Sequence, residues 1–216
     1  MLQNIMLQNI NQRISSEYCA DTCAKLTDQY LLEEYRNCKS VKNSIETLSS
    51  ILEKHLEPNS TVKDVIIEEY LTKMIPPGTK GVIRGNKFNK MVKEKIENMQ
   101  LPSDIYEVVF ERNCAIAPTS EIPDWYIHHK MLNKTLIGMN QLDLWGGGAQ
   151  FNRASKYILN DPYETSSNIK LICVVCNWIV LKSEKNKAFH IFEKGLERNT
   201  ICYMNGLEHR IREFFI

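Results

Sequence analysis

The chain has 216 residues, enough for one large domain or two small ones with a sizeable core. Its 27 basic and 26 acidic residues give a formal net charge of +1, so any surface for nucleic acid must be a local patch. The polar N-terminus, the absence of a long apolar run and the seven cysteines, an odd number, predict a reduced, cytoplasmic chain without a membrane partner.

The N-terminal half of the chain has the spacing of helices. Residues 1–13 contain a repeat of Met-Leu-Gln-Asn-Ile and are expected to be frayed, whereas 14–100 carry apolar side chains at helical intervals. Pro76-Pro77-Gly78 is predicted to end one helix, and 79–85 to form a basic, glycine-containing loop. Helices are predicted over 14–35 and over 41–56. A third helix is predicted to begin after a cap at Thr61 and to end at the prolines, and a fourth to run from Lys87 to Pro102.

From residue 101 the pattern changes to short runs of β-branched and aromatic residues, which predict strands. A polar helical segment, 152–159, lies between the third and fourth runs, and a last helix is predicted over 206–214. This order predicts an α/β fold, with a mixed central β-sheet flanked by helices, within a single domain over 1–216. The predicted strands are 105–110, 125–129, 136–144 and 169–181.

Two of the predicted strands carry acids. Asp124 stands directly before the strand that starts at Trp125, and Gln141 and Asp143 lie two residues apart on the next strand, where both face one side. Adjacent strands with an acid on each can place oxygen ligands around one Mg²⁺ ion, which activates water and stabilises charge on a phosphodiester. A solvated strand face is the alternative interpretation.

A glycine-rich turn, Gly146-Gly147-Gly148, follows the second of these strands. Consecutive glycines let the backbone approach a ligand closely. In the helix beyond, Gln150, Asn152 and Arg153 have side chains that can bind phosphates or base edges, and Lys156 shares a helix face with Arg153. An ordinary turn before an amphipathic helix explains the glycines, but not the polar residues.

Residues 73–95 hold seven lysines and arginines against one acid. We expect Lys80, Arg84 and Lys87, in the loop and at the start of the following helix, to contact the phosphates of DNA. The lysines further along that helix are expected only to solvate its outer face.

These residues resemble a known family. The segment from Pro77 to Asn89 resembles one on the N-terminal side of many type II restriction endonucleases. Ile122-Pro123-Asp124-Trp125 and the segment from Asn140 to Trp145 look like the two catalytic strands of the PD-(D/E)xK nuclease fold. The second motif departs from the family, because Gln141-Leu142-Asp143 stands where an acid, any residue and a lysine are expected.

The resemblance implies a sequence-specific double-stranded DNA endonuclease of a type II restriction-modification system, which hydrolyses phosphodiester bonds with a metal-activated water. It also implies a homodimer, a cognate DNA methyltransferase in the same system and Mg²⁺ as cofactor. The implied site comprises Asp124 and Asp143 as catalytic metal ligands, Gln141 and Lys156 as further catalytic residues, and Lys130, Glu107 or Glu111 as alternative contributors.

Other interpretations remain open because the second motif is incomplete. A non-catalytic nucleic-acid-binding protein on a nuclease-like scaffold is one alternative, and a DNA repair nuclease is another. A metal site built on His128 and His129 is disfavoured, since neighbours on a strand face opposite sides. Cys173 and Cys176 lack a second cysteine pair at zinc spacing, so we expect them to be buried structural thiols.

Overall fold

The computed structural model describes residues 2–57, 60–145, 148–183 and 187–216. The chain divides into two compact units, a larger one of Met1–Thr22 with Phe88–Ile216 and a smaller one of Cys23–Lys87. That both units act as one endonuclease domain stays a prediction. Over the described ranges, no helix is long and apolar enough to cross a membrane.

The larger unit contains a five-stranded mixed sheet with the strand order β1-β2-β3-β4-β5, which confirms the predicted α/β class. The first three strands pair antiparallel, and the last three pair parallel. The short fifth strand was not predicted, since three residues carry too little pattern. The strands are β1 (Tyr106–Phe110), β2 (Trp125–His129), β3 (Lys134–Gln141), β4 (Ile169–Val175) and β5 (Ile201–Tyr203).

Helices account for most of the remaining chain. Two of them, α5 and α7, continue directly into π-helical turns, Tyr70–Met74 and Ser155–Leu159. The second of these turns completes the helical segment predicted over 152–159. The helices are α1 (Leu2–Glu17), α2 (Ala20–Ala24), α3 (Leu32–Asn37), α4 (Lys39–Leu52), α5 (Val62–Glu69), α6 (Pro77–Glu97), α7 (Gly148–Ala154), α8 (Lys187–Glu197) and α9 (Leu207–Phe215).

Side chains that alternate along β3 pack against different helices, as the period of a strand requires. Met139 belongs to a buried cluster that includes Ile14 of α1 and Phe192 of α8. Asn140, on the opposite face, is hydrogen-bonded to Asn89 of α6. Helices therefore cover both faces of the sheet, which is why seven of the eight residues of β3 are buried.

The N-terminal segment differs from the expectation. Residues 1–13 were expected to be frayed, but α1 begins at Leu2, and Ile10 and Ile14 are both buried. Asn11 fixes the helix further, because its side chain donates to the carbonyl of Leu181 and accepts the N–H of the same residue, both at 2.9 Å. The apolar side chains of α1 therefore contribute to the core of the larger unit.

The predicted loop over 79–85 is wrong, because α6 runs through it without a break. Pro77 is the first residue of this helix, a position where its missing N–H and fixed φ are compatible with helix. The Thr61 side chain forms no capping bond, although α5 begins directly after it. The smaller unit has its own core, formed by Leu31, Tyr35, Val41, Leu71 and Ile75.

Two of the predicted strands are too long at their C-terminal ends. β3 stops at Gln141 and β4 at Val175, whereas strands were predicted over 136–144 and 169–181. Backbone pairing continues a little further, since Asn177 donates to the carbonyl of Leu142 at 2.7 Å. Within the glycine-rich turn, Gly146 and Gly147 lie outside the described residues.

Candidate functional site

Asp124 directly precedes β2, and two neighbouring groups hold its carboxylate. Oδ1 accepts a hydrogen bond from the Asn89 side chain at 2.8 Å, and Oδ2 accepts the backbone N–H of Asn140 at 2.7 Å. The N–H of Asp124 donates to the carbonyl of Gly138 at 3.1 Å, which extends the pairing of β2 with β3 by one residue. Both carboxylate oxygens therefore meet uncharged donors.

A second set of bonds fixes the two asparagines. Asn140 Nδ2 donates to Asn89 Oδ1 at 3.1 Å, and Trp125 Nε1 donates to Asn140 Oδ1 at 3.1 Å. The four residues form a continuous chain of hydrogen bonds, which we call the Asp124 network (Asn89, Asp124, Trp125 and Asn140). Trp125, which donates into this network, is buried, with 1% of its surface exposed.

The electrostatic surroundings of Asp124 oppose its ionisation. Burial raises the pKa of this carboxyl, and the hydrogen bonds from Asn140 and Asn89 together with the charge of Arg153 offset the shift only in part. The carboxylate of Glu111 raises the pKa of Asp124 further. A partly desolvated carboxyl beside a second carboxylate is an arrangement typical of functional sites.

Glu111 is the upstream acid that lies near Asp124, whereas the charge of Glu107 acts on Tyr126. The residue follows the last position of β1, and its N–H donates to the carbonyl of Asp124 at 3.0 Å. Its φ of 52° lies in the left-handed region, which costs free energy for a residue with a side chain. Of the two alternatives that the sequence left open, Glu111 is therefore the one beside Asp124.

A second group of charged residues surrounds Glu121, two residues before Pro123. Its Oε2 lies 3.5 Å from Arg153 Nε, and its Oε1 lies 3.5 Å from Lys156 Nζ. Arg153 Nη1 also lies 3.4 Å from the Oε1 of Gln141. We call these residues the Glu121 cluster (Glu121, Gln141, Arg153 and Lys156). Gln141, Arg153 and Lys156 were predicted as site residues, whereas Glu121 was not.

The remaining predicted residues of this region are placed differently. Asp143 lies half-buried, two residues beyond the end of β3, so strand alternation does not align it with Gln141 as expected. Gln150 is half-buried in α7, and Asn152 is exposed on the same helix. Their roles in metal and base contacts stay predictions.

Lys80, Arg84 and Lys87 all have carboxylate partners within the smaller unit. Asp28 accepts from Lys80 at 2.7 Å and from Arg84 at 2.5 Å, and Glu34 accepts from Lys87 at 2.5 Å. A DNA phosphate would have to compete with these carboxylates. Phosphate contact by the three cations stays a prediction, and the structure gives each of them a second role in holding α6.

Asp28 is the centre of that arrangement. Burial raises its pKa, but hydrogen bonds from Lys80, Tyr35 and Arg84 outweigh burial and lower the pKa to about 2. Burial and the hydrogen bond to Asp28 raise the pKa of Tyr35 to about 12, although the charge of Arg84 lowers it. The ionised form of Asp28 is therefore stabilised by the fold.

The donor set can be compared with the needs of the expected Mg²⁺. In the part of the chain that the structure describes, no three His, Cys, Asp or Glu residues lie together as a metal cluster. Mg²⁺, however, is usually held by one or two carboxylates, with water and substrate phosphates in the other positions. Asp124 supplies one carboxylate of that kind, and Glu111, which is bonded to it through the backbone, is the candidate for a second.

The histidines and cysteines that the sequence disfavoured as ligands have other contacts. His128 Nδ1 lies 3.0 Å from the hydroxyl of Thr135, and His129 Nδ1 accepts the N–H of Leu132 at 3.1 Å. Cys173 and Cys176 are buried thiols, as predicted. Among the described residues, neither pair joins a metal cluster.

No protein-family model, curated protein sequence or solved structure matches this chain. A function can therefore be inferred only from the residues themselves. They combine a partly desolvated carboxyl at Asp124, a second carboxylate at Glu111 and an arginine whose charge acts on the first. Carboxylates are the usual protein ligands of Mg²⁺, and arginine is a common partner of phosphate.

Proposed function

We propose that this chain is a Mg²⁺-dependent endonuclease of double-stranded DNA, with the nuclease of a type II restriction system as the favoured form. The observation that supports this proposal most directly is the environment of Asp124. Its carboxylate is held by two uncharged donors, and it lies in the fields of Glu111 and Arg153. A divalent cation would offset the cost of keeping this carboxylate ionised.

Asp124 and Glu111 would supply the protein oxygens for Mg²⁺, which acidifies a bound water and neutralises charge on a phosphate. Asn89 and Asn140 hold the Asp124 carboxylate in one orientation, so that little reorganisation is needed when substrate binds. In the proposal, Arg153 stabilises the negative charge that develops on the scissile phosphate.

Gln141 and Lys156 have supporting roles in this proposal. Gln141 is 8% exposed, and its side-chain carbonyl oxygen accepts from the guanidinium of Arg153. In this proposal Gln141 therefore positions Arg153 and does not orient a water. Lys156 is 43% exposed and pairs with Glu121, which leaves its charge available to the DNA backbone once that pair opens. Asp143 is kept as the alternative second ligand.

The test is cleavage of unmodified plasmid DNA by the purified full chain in the presence of Mg²⁺. We expect discrete fragments, and we expect Asp124→Asn to abolish them while DNA binding in Ca²⁺ is retained. The matched control is Asp104→Asn, which makes the same chemical change at an exposed aspartate of the same unit. Full cleavage by Asp124→Asn would contradict the proposal.

Two further outcomes separate the alternatives. A random smear of products would favour a repair nuclease, and DNA binding without cleavage would favour a non-catalytic binding protein. The lack of a three-residue metal cluster among the described residues is the observation that favours the latter. Glu111→Gln and Asp143→Asn then identify the second ligand, since only the true ligand should abolish cleavage.

The restriction form of the proposal has consequences for partners. A palindromic site matches a two-fold axis, so the active species would be a homodimer on DNA. Sedimentation of the chain with a cleaved duplex in Ca²⁺ should then give two chains per duplex. A cognate DNA methyltransferase would protect the same site, and plasmid modified by it should resist cleavage.

A further inference from the structure

A pocket of about 370 Å³ lies at the end of the sheet that is remote from Asp124. Lys134 is the first residue of β3, Lys170 is the second of β4, and both line this pocket. The seven residue steps of β3 from Lys134 to Gln141 correspond to about 23 Å. The pocket is therefore separate from the site proposed above.

The charges around the pocket favour an anion. Its lining includes three cationic side chains, Lys134, Lys170 and Arg210, and one carboxylate, Glu213. The ammonium groups of both lysines lie 5.7 Å from the centroid of the same Phe214 ring. Within the described ranges neither lysine forms an ion pair with a carboxylate, and Lys134 Nζ donates only to the backbone carbonyl of Phe214, at 3.1 Å. A bound anion would neutralise these two charges.

Arg210 gives the pocket a fixed wall. Only 9% of this residue is exposed, and its guanidinium is held by Glu17 at 2.6 Å and by Glu213 at 3.2 Å. Its Nε is buried and has no hydrogen-bond partner in the described part of the chain. A buried donor without an acceptor costs free energy, and the two ion pairs of the same guanidinium hold Arg210 in place despite it.

Ser166 adds a hydroxyl donor to the same lining. Its Oγ accepts the backbone N–H of Asn168 at 3.2 Å and that of Ile169 at 2.9 Å. Because both bonds use the oxygen as acceptor, the hydroxyl proton can be donated to a ligand. Ser166 thus lines the pocket as a preoriented donor for a phosphate oxygen.

We propose that this pocket binds the phosphate group of a nucleotide-sized ligand. Lys134 and Lys170 would supply the charge, and Ser166 would donate a hydrogen bond. Arg210 is already compensated by Glu17 and Glu213, so the two positive charges that match a phosphate monoester dianion are those of Lys134 and Lys170. The volume exceeds that of a phosphate ion, so part of the attached group can enter as well. A free nucleotide and the 5′-terminal phosphate of a DNA strand share this chemistry.

Isothermal titration of the full chain with AMP, and separately with inorganic phosphate, tests the proposal. We expect saturable binding of AMP in competition with phosphate, and an affinity at least about tenfold lower in Lys134→Gln/Lys170→Gln. The control is Lys39→Gln/Lys42→Gln, which removes the same charge from two exposed lysines and should leave the affinity within about twofold. Circular dichroism checks that each variant is folded.

If the double variant does not fold, Lys170→Gln alone and the charge-preserving Lys134→Arg/Lys170→Arg replace it, with loss expected in the first and retention in the second. Absence of AMP and phosphate binding to the wild type, or equal weakening in the control, would overturn the proposal.

The source of the phosphate is decided by comparing duplexes with and without 5′-phosphates. Tighter binding of the phosphorylated duplex, lost in the double variant, assigns the terminal phosphate; binding of AMP alone assigns the free nucleotide. Asp124→Asn should leave AMP binding unchanged, so a failure of the endonuclease proposal can be distinguished from a failure of the phosphate-binding proposal.

Discussion

Gly138 lies directly opposite Trp125 in the antiparallel pair of β2 and β3, and the indole occupies the space where a side chain would begin. A Cβ atom at Gly138 would lie 1.8 Å from the ring. Glycine is therefore required here for packing, and the position of Trp125 in turn fixes Asn140 through a hydrogen bond. The shape of the site therefore depends on position 138 being a glycine.

We expect Gly138→Ala to lower the free energy of unfolding by about 2 kcal/mol or more, because the indole must move. Since Trp125 is buried, its fluorescence maximum should shift to the red. Urea unfolding measures the first effect. Gly81→Ala is the matched control: nothing lies within 4 Å of its Cβ position in α6, so it should stabilise the chain by about 1 kcal/mol. Equal effects would contradict the packing argument.

Asn89→Ala should change the pH dependence of the proposed cleavage. Asn89 donates to Asp124 Oδ1, and this bond lowers the pKa of the carboxyl. Without it the pKa rises, so the acidic limb of the pH–rate profile should move to higher pH. Asn86→Ala, at an exposed position of the same helix, is the control and should leave the profile unchanged. An unmoved limb in Asn89→Ala would show that Asn89 does not position Asp124.

Acid stability should depend on Asp28. Its pKa in the folded chain is about 2, below the ordinary value of 3.8, so its ionisation stabilises the fold above pH 4. That contribution should disappear as the pH falls from 4 to 2, with a loss of about 2 kcal/mol. Circular dichroism during urea unfolding at several pH values measures it. Asp28→Asn should be less stable at pH 7 and should lack this step, whereas Asp21→Asn should retain it. Identical pH profiles in the wild type and Asp28→Asn would contradict the argument.

Glu121→Gln should increase affinity for DNA. The Glu121 carboxylate pairs with both Arg153 and Lys156, and its removal leaves both cations for phosphates. We expect affinity to rise by about three- to tenfold at low salt, with a steeper salt dependence. Fluorescence anisotropy of a labelled duplex measures both. In Glu121→Gln/Arg153→Gln most of the gain should be lost, and a gain of equal size there would show that the release of Arg153 does not cause the effect.

The sequence predicted the strands better than the contacts between them. The boundaries of β2 were predicted without error, because Trp125–His129 is a run of aromatic and β-branched residues between turn signals. Asp124 was predicted for the same reason, since an acid before such a strand lies at its end. Asn89 could not be predicted, because it lies 35 residues earlier and no local pattern distinguishes it from any other polar residue of α6.

The first turns of α6 were not predicted as helix, because tertiary contacts that the sequence does not reveal stabilise them. Pro76-Pro77-Gly78 and the glycines beyond it have low helix propensity, and this pattern favours a loop. In the structure, Lys80 and Arg84 bind Asp28, and these bonds hold the first turns of the helix. Their partner precedes them by more than fifty residues, so propensity alone gave the wrong element.

The contacts of α1 have a consequence for synthesis of the chain. Arg13 bonds to the carbonyl of Leu196 at 2.9 Å, and Glu17 pairs with Arg210. During translation, these partners emerge long after the helix that needs them, and loops of this length close slowly. Until then Ile14 remains in water or bound to another apolar surface. Because α1 leaves the ribosome before these partners, it is packed only after they emerge, and a nascent chain stalled before residue 196 should be a target for chaperones.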